Sequence, residues 1–489
     1  MSKKMLSTDE KALSINLDES KYGTFAEIGA GQEVVRHFFQ AGATAGTVAK
    51  SISAYDMKFS DEIYGQADRY VSRGRLIQML EHEYALLEER LTDARGNHTT
   101  FFAFANTVAA QSFRGGRECH GWMGMRFQLH PGSPPCEIII HVRMLDNYNL
   151  QQQEALGVFG VNLVYGSFHL RDDPRQFICS LADNLGKERI EVDMIQFLGS
   201  GFDSVDNRIL SLMLVQEGMT NAVIFDCNGN VQQPAEVLYK KAVLMERGSF
   251  HPVNNVHIDM LECARKRFTQ APSVEEDDVL MFFELNLATT FGSEDQLDLT
   301  DFLSRVDALT ALGHAVLISK YFEYYRLSAY FRRWTQEPIG IVLGISNLAD
   351  IFNEDYYDTL DGGILESFGR LFKQSVKLFI YPMTMQSFCN YQKMRGLEDT
   401  GEQIRETQNG IPVITANTFC PEKHLQTLYN YLKENGFLEP LAGFDPKCLD
   451  IFSQNIVCKI KEGDDSWELE VPSEVVTMIK DRKLWGCSG

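Results

Sequence analysis

Three observations predict an α/β protein with a parallel sheet in its second half. The chain has 489 residues, which exceeds one ordinary domain core and suits two or three α/β units. From about residue 154 onward, stretches with helical periodicity alternate with short runs of apolar and β-branched residues, as in strands joined by crossover helices. Hydrophobic residues make up 44% of the chain and charged residues 23%, as in a well-packed globular protein.

The predicted strands are the short apolar runs, and the predicted helices lie between them. We expect strands at 160–165, 190–197, 221–225, 242–245, 279–285, 314–319, 339–343 and 376–381. We expect helices at 175–185, 208–217, 256–268, 299–312 and 365–373. Before residue 154 the pattern is less regular and predicts strands at 24–28, 99–105 and 137–142, with helices at 31–40 and 73–91. This first part is therefore α/β or α+β, and its topology stays open.

Composition shifts divide the chain into three segments. Polar turn residues and a proline at 228–235 interrupt the pattern and predict a boundary between an N-terminal domain at 1–235 and a parallel-sheet domain at 236–443. The remaining 444–489 is expected to be a small tail, in which apolar runs at 456–461 and 467–471 flank Glu-Gly-Asp-Asp-Ser and predict a β-hairpin. A closing helix is expected at 475–483.

Charge and composition exclude several functional classes. The formal net charge of −21 argues against binding to a nucleic-acid polymer, which requires a dense basic face. We find no apolar run long enough to span a membrane and no apolar signal segment at the start, so we expect a cytoplasmic protein without membrane contact. The ten cysteines show no paired metal-ligand spacing, which indicates buried thiols in a reducing compartment and no metal site.

The most informative segment is the turn that follows the predicted strand at 242–245. Gly248 lets the chain bend, Asn254 or Asn255 is a good N-cap for the following helix, and His257 falls in the first turn of that helix. A strand, a tight turn and a helix N-terminus together expose backbone N–H groups to an anion. We therefore expect a phosphate-binding loop here.

The run Gly248-Ser-Phe-His-Pro252, followed by His257 and an apolar helix, resembles the signature of the nucleotidylyltransferase superfamily. It is most similar to the nicotinamide and nicotinate mononucleotide adenylyltransferases. The resemblance implies a Rossmann-like domain that transfers AMP from ATP to such a mononucleotide and releases pyrophosphate, with ATP and Mg²⁺ as cofactors. It also implies that His257 is catalytic and that Asn254 holds the first position of the T/H-x-x-H element. The nucleotide-binding residues implied in this loop are Gly248, Ser249, Phe250, His251 and Asn254.

Two later segments resemble further elements of that family. The run at 339–352 is similar to the strand and Gly-x-Asp-x-Leu segment that holds adenosine, which implies nucleotide-binding roles for Gly344, Ser346 and Asn347; Ser346 stands where the family has Asp. The run at 414–420 is similar to the element whose arginine binds triphosphate, yet Cys420 occupies that position. Lys320 and Arg326 are candidates to bind phosphate in its place.

Alternatives to adenylyl transfer stay open. The missing arginine also suits a catalytically degraded domain that binds a nucleotide to regulate the N-terminal half or a homo-oligomer. The aromatic cluster at 321–325 suits either a core or a platform on which a base stacks. A third hypothesis places the activity in residues 1–235, where Glu118-Cys119-His120 would form a site only with a base or metal partner close by. The glycines at 29 and 31 weakly resemble the first turn of Rossmann methyltransferases.

Overall fold

The computed structural model describes residues 5–109, 119–290, 298–395, 406–408 and 410–487. The chain forms two compact units, Met1–Val223 and Ile224–Gly489. The boundary falls within a strand, somewhat before the polar turn at 228–235 that suggested the division. Among the described residues, no helix is long and apolar enough to cross a membrane.

The first unit is a mixed sheet with helices. Its strands are β1 Lys21–Gly29, β2 Val48–Ala54, β3 Thr100–Ala109, β4 His120–Gln128, β5 Pro135–Met144 and β6 Ile190–Leu198. Its helices are α1 Thr8–Asn16, α2 Val34–Ala41, α3 Met57–Tyr64, α4 Arg73–Arg95, α5 Asn149–His169, α6 Pro174–Leu181 and α7 Asn207–Gln216. The strand order is β2-β1-β3-β4-β5-β6. β1 is parallel to β2 and β3, and the later neighbours are antiparallel.

The predicted strand at 160–165 is wrong, because these residues lie inside helix α5. Leu156, Phe159, Val161 and Val164 are all fully buried. A helix buried on most of its circumference has a continuous apolar run and loses the polar face that reveals helical periodicity. The same run was therefore mistaken for a buried strand.

The second unit is built around a larger sheet that is mainly parallel. Its strands are β7 Ala222–Phe225, β8 Val231–Gln232, β9 Ala242–Arg247, β10 Val279–Asn286, β11 Ala315–Ser319, β12 Ile339–Gly344, β13 Val376–Tyr381, β14 Met383–Thr384, β15 Glu406–Gln408, β16 Ile411–Ile414 and β17 Leu438–Pro440. Its helices are α8 Pro234–Val237, α9 Asn255–Phe268, α10 Leu287–Thr290, α11 Leu299–Ala311, α12 Tyr324–Arg332, α13 Ile345–Ile351, α14 Gly363–Leu371, α15 Met385–Arg395, α16 Gln426–Glu434, α17 Ser453–Glu462 and α18 Ser473–Arg482. β14, β15 and β16 form a separate small antiparallel sheet.

The strand order of the large sheet is β17-β13-β12-β9-β10-β11-β7-β8. Starting from β9, the chain adds β10 and β11 on one side and β12, β13 and β17 on the other, with parallel pairing throughout this part. This is the doubly wound order of a Rossmann-like sheet, which confirms the predicted fold class. The apolar runs of β9 to β13 are buried, as expected for strands covered on both faces.

The predicted hairpin in the tail is wrong. Residues 456–461 belong to helix α17, and the first three residues of the predicted strand at 467–471 lie in a 3₁₀ turn at Asp465–Leu469. Ile456 and Ile460 are both buried and lie four residues apart, which is the spacing of one helix face rather than of a strand. Gly463 ends the helix in the left-handed conformation with φ of 72°. The closing helix is confirmed as α18.

Candidate functional site

The second unit has a crevice at the carboxyl ends of β9 and β12. These two strands are neighbours, and the chain leaves them toward opposite sides of the sheet. Ligands of open α/β sheets bind in the crevice that such a reversal creates. The crevice has a volume of about 310 Å³ and is lined by Arg247, Gly248, Ser249, Phe322, Glu323, Tyr324, Asn347, Asp350, Ile351, Tyr356, Tyr357 and Arg395.

A buried ion pair forms the floor of the crevice. The guanidinium of Arg247 donates from Nε and Nη2 to the carboxylate of Glu284 at 2.7 and 2.9 Å. The side chains are only 8% and 0% exposed. Arg247 also donates to the backbone carbonyls of Tyr321 and Phe322, at 2.7 and 2.6 Å. Because the carboxylate and two carbonyls already engage this guanidinium, its charge is compensated by the protein itself.

Aromatic rings lie above this floor. The Arg247 guanidinium lies 4.4 Å from the centre of the Tyr324 ring, at cation–π distance. Burial raises the pKa of the Tyr324 phenol to about 12. The Phe322 ring is 41% exposed and meets the Tyr356 ring edge-on at 5.1 Å. Phe322 and Tyr324 come from the aromatic cluster at 321–325, so this part of the cluster faces the crevice.

Asp350 and Arg395 form the opposite wall. The carboxylate of Asp350 accepts from Arg395 Nη2 at 2.7 Å and from the Tyr391 hydroxyl at 2.8 Å. Burial, together with the hydrogen bond to Asp350, raises the pKa of the Tyr391 phenol. The lining contains four charged residues, two arginines and two acids. Both arginines are ion-paired, Arg247 with Glu284 and Arg395 with Asp350. The second acid, Glu323, pairs with Arg326 outside the lining.

Part of the predicted loop borders the crevice. Gly248 and Ser249 belong to its lining, whereas Phe250 turns inward and is fully buried. A Cβ at position 248 would lie 2.7 Å from the Phe250 ring, which is too close for two non-bonded carbon atoms. The position of this ring therefore requires glycine at 248. Phe250 adopts a φ of 45°, an uncommon conformation for a residue with a side chain.

His257 is half-buried and caps its own helix. Its Nδ1 accepts from the backbone N–H of Asn254 at 3.2 Å, and its ring meets the Phe250 ring edge-on at 4.9 Å. Burial lowers the pKa of His257 to about 4, so the imidazole is neutral at neutral pH. Because Nδ1 accepts a hydrogen bond, the ring proton resides on Nε2, which is a donor. His257 is not among the residues that line the crevice.

The N-terminus of α9 already has protein acceptors. The side chain of Asn254, itself fully buried, accepts from the N–H of Val256 at 3.2 Å. The N–H of Asn255 donates to the carbonyl of Glu470 at 2.9 Å, and the N–H of His257 donates to the carbonyl of Asn254 at 3.1 Å. These three backbone donors at the start of α9 are therefore engaged within the chain.

The remaining predicted residues are distributed around the sheet edge. Asn347 lines the crevice, and Gly344 and Ser346 lie beside it at the end of β12. His251 lies 3.6 Å from Asp301 and packs on Trp485 at 5.2 Å, away from the lining. Neither Lys320 nor Arg326 is among the lining residues.

Cys420 lines a neighbouring cavity of about 430 Å³ that shares Asp350 and Arg395 with the crevice. The sequence pattern did not single out Arg247, Glu284 or Arg395. Arg247 is the last residue of β9, two residues beyond the predicted strand at 242–245, and a charged residue at the end of an apolar strand is a usable signal.

Mg²⁺, which the resemblance implies, finds no dedicated protein ligands within the described ranges. No group of three or more His, Cys, Asp or Glu side chains there is arranged to hold a metal ion. The Asp350 carboxylate of the lining is engaged by Arg395 and Tyr391. A magnesium ion here would depend on phosphate oxygens of the nucleotide itself.

Comparisons with known proteins find structural neighbours only. No family model matches the chain, and no curated protein matches it. Solved structures of competence- or damage-inducible proteins are similar to part of it. The protein CihA from Agrobacterium tumefaciens is 17% identical with a TM-score of 0.24, over 34% of this chain and 97% of its own. A CinA superfamily protein from Enterobacter cloacae is 13% identical with a TM-score of 0.25, over 34% of this chain and 96% of its own. Structural similarity with such low TM-scores supports no conclusion about activity.

Proposed function

We propose that the second unit binds a nucleotide in the crevice between β9 and β12, with the base stacked on its aromatic lining and without transferring a nucleotidyl group. The observation that carries this proposal is the position of Phe322 and Tyr324 at the topological switch point of a Rossmann-like sheet. Such a position favours nucleotides, and aromatic faces favour their bases. The unit would then serve as a regulatory nucleotide sensor.

The charge of the lining supports binding over transfer. Nucleotidyl transfer requires cations that stabilise the negative charge developing on the α-phosphate and on the leaving pyrophosphate. Both arginines of the lining are held by carboxylates, and Cys420 stands where the family has its triphosphate-binding arginine. The crevice thus offers stacking surface and hydrogen-bonding groups but little unpaired positive charge.

Calorimetry on the full-length protein tests this proposal with AMP, ATP, NAD and the two pyridine mononucleotides. We expect at least one of them to bind, and Phe322→Ala to weaken that binding about 5- to 150-fold, because stacking on one ring contributes about 1–3 kcal/mol. This substitution keeps the Phe322 carbonyl that holds Arg247. Tyr431→Ala removes a 58% exposed ring on α16 and is the matched control. Failure of all five nucleotides to bind, or equal affinity in Phe322→Ala, refutes the proposal.

Adenylyl transfer is the second candidate, and two features favour it. The backbone of Gly248 and Ser249 borders the crevice, and the neutral His257 of the helix that follows this loop carries its proton on Nε2, which is a hydrogen-bond donor. In this mechanism the mononucleotide phosphate attacks the α-phosphorus of ATP and pyrophosphate leaves. Mg²⁺ supplies charge neutralisation on the leaving group when it is bound.

Pyrophosphate release from ATP, Mg²⁺ and either mononucleotide separates the two candidates. His257→Gln is the informative variant, because glutamine at this position can still accept the N–H of Asn254 and preserve the cap. If the protein turns over and His257→Gln does not, transfer is supported. Nucleotide binding without pyrophosphate release supports the sensor.

A further inference from the structure

The two arginines that line the crevice are held in different ways. Arg247 has a side chain that is 8% exposed, and it donates to both carboxylate oxygens of Glu284 and to two backbone carbonyls. Arg395, the last residue of α15, has a side chain that is 46% exposed and donates from Nη2 to Asp350 at 2.7 Å. An ion pair with that exposure contributes little to stability. Arg395 is therefore the arginine that a ligand can recruit.

Asp350 keeps other partners when Arg395 leaves it. Its carboxylate also accepts from the Tyr391 hydroxyl at 2.8 Å, and its side chain is 28% exposed to water. Glu284, by contrast, is fully buried, so the loss of its arginine would leave an uncompensated charge. The pair of Asp350 and Arg395 thus opens far more readily than the pair beneath the crevice.

A phosphate is the group that competes best for such an arginine. The planar guanidinium donates two parallel N–H groups to a phosphate, and these charge-assisted bonds are stronger than neutral ones. In the present pair, one carboxylate oxygen of Asp350 accepts both an N–H of Arg395 and the hydroxyl of Tyr391. A phosphate monoester has three acceptor oxygens and a charge of about −1.5 to −2. It therefore binds Arg395 more strongly than this shared carboxylate oxygen does.

The position of Arg395 suits a ligand of the size of one nucleotide. Asp350 and Arg395 form the wall of the crevice opposite the aromatic lining, so a base stacked on Phe322 leaves the ribose and one phosphate to span the distance. The crevice volume of about 310 Å³ lies at the small end of the range for small-molecule sites. Both features favour a mononucleotide over a larger ligand.

Charges beyond Arg395 restrict the number of phosphates. The neighbouring cavity of about 430 Å³ shares Asp350 and Arg395 with the crevice and is also lined by Glu354, Asp355 and Glu422. Among the described residues of that lining, Arg395 alone is a cation. His424 lies 2.6 Å from Glu354 and offsets part of this negative charge when it is protonated. A second or third phosphate that extends past Arg395 would meet these carboxylates and be repelled.

We propose that the ligand of the crevice is a nucleoside monophosphate, whose phosphate binds Arg395 in place of Asp350. This inference rests on the proposed function, because it assumes a nucleotide with its base on the aromatic lining. Arg247 remains bound to Glu284 in the floor, and Asp350 retains the Tyr391 hydroxyl. Arg395 is thus the residue that distinguishes a nucleotide from its nucleoside.

Calorimetry on the full-length protein tests this inference with AMP, the two pyridine mononucleotides, the three corresponding nucleosides, ATP and NAD. We expect at least one monophosphate to bind about tenfold or more tightly than its nucleoside, as for a hydrogen-bonded charged group, and more tightly than ATP or NAD. Equal affinity of monophosphate and nucleoside, or tighter binding of ATP or NAD, overturns the inference and leaves the proposed function standing. Failure of every nucleotide to bind overturns both.

Two substitutions at the ion pair should change the affinity in opposite directions. Arg395→Gln is expected to lower the affinity for the monophosphate to about that of its nucleoside. Asp350→Asn keeps an acceptor for the Tyr391 hydroxyl but no longer competes for Arg395, so it should raise the affinity for the monophosphate about threefold. Neither change should alter the affinity for the nucleoside. Misfolding cannot produce opposite shifts, and weaker monophosphate binding in Asp350→Asn contradicts the exchange.

Arg370→Gln is the matched control for Arg395→Gln. Arg370 pairs with Glu366 on α14, and its side chain is 55% exposed. It lies 5.6 Å from the centre of the Tyr325 ring, much as Arg395 lies 5.8 Å from that of Tyr391. Arg370 lines neither the crevice nor the neighbouring cavity. Equal loss of monophosphate affinity in both variants would reveal a general effect of net charge and overturn the assignment of Arg395.

Discussion

The ion pair beneath the crevice makes a quantitative prediction about stability. Glu284→Ala removes the bidentate partner of Arg247 and leaves a guanidinium with 8% exposure in an apolar sheet. Removing one partner of a buried pair costs about 3–5 kcal/mol, because the remaining charge loses its compensation without regaining water. For a unit of this size, that cost lowers the midpoint of thermal unfolding by roughly 10 °C.

Differential scanning calorimetry of the full-length protein measures this shift. Glu276→Ala is the matched control, since Glu276 pairs with Arg265 at the surface with 67% side-chain exposure. An exposed pair contributes about 0–1 kcal/mol, so the control should shift the transition by at most a few degrees. Similar shifts in both variants would show that burial does not determine the strength of the Arg247 pair.

Three further predictions concern two other titratable side chains, His257 of the second unit and Glu27 on strand β1 of the first unit. His257→Ala should destabilise the protein by about 1 kcal/mol in urea unfolding through loss of the helix cap, whereas His257→Gln should not; equal losses would refute the capping role. Burial lowers the pKa of His257 from 6.5 to about 4, so between these pH values only the unfolded chain binds a proton at this residue. The free energy of unfolding therefore falls as the pH drops from 6.5 to 4. His257→Gln should flatten that decline. Burial raises the pKa of Glu27 from 4.5 to about 8, so its contribution to the free energy of unfolding is complete below pH 4.5 and is lost as the pH rises to 8. Glu27→Gln should remove this loss. An unchanged dependence of stability on pH in that variant would contradict the reasoning.

The sequence predicted those parts of the fold that depend on local pattern. The strands β9 to β13 are continuous apolar runs bounded by turns, and each was found where that pattern placed it. The interior of helix α5 resembles a strand because burial on most sides removes the alternation that separates helix from strand. Helix α17 buries only one face, through Ile456 and Ile460, and its short apolar run does not distinguish a helix turn from a strand. The order of the strands, and with it the position of the crevice, depends on pairing between distant segments that no local pattern encodes.

The candidate site was predicted only in part for the same reason. Gly248, Ser249 and Asn347 follow strands directly and were expected at the sheet edge, where they line the crevice. The pair of Arg247 and Glu284 joins residues 37 positions apart, and the contact between Arg395 and Asp350 spans 45 positions. Nothing in a single sequence shows that such charges neutralise one another, so the loss of free positive charge became visible only in three dimensions.

The bond from the N–H of Asn255 to the carbonyl of Glu470 has a consequence for any phosphate that approaches this loop. The carbonyl is part of the same molecule, so it competes for the amide as an intramolecular ligand at an effective concentration that a dissolved anion rarely matches. Entry of a phosphate would require the segment around residue 470 to move aside. The Glu470 carbonyl therefore competes with any anion for the N–H of Asn255, and an anion binds this N–H only if it displaces the carbonyl.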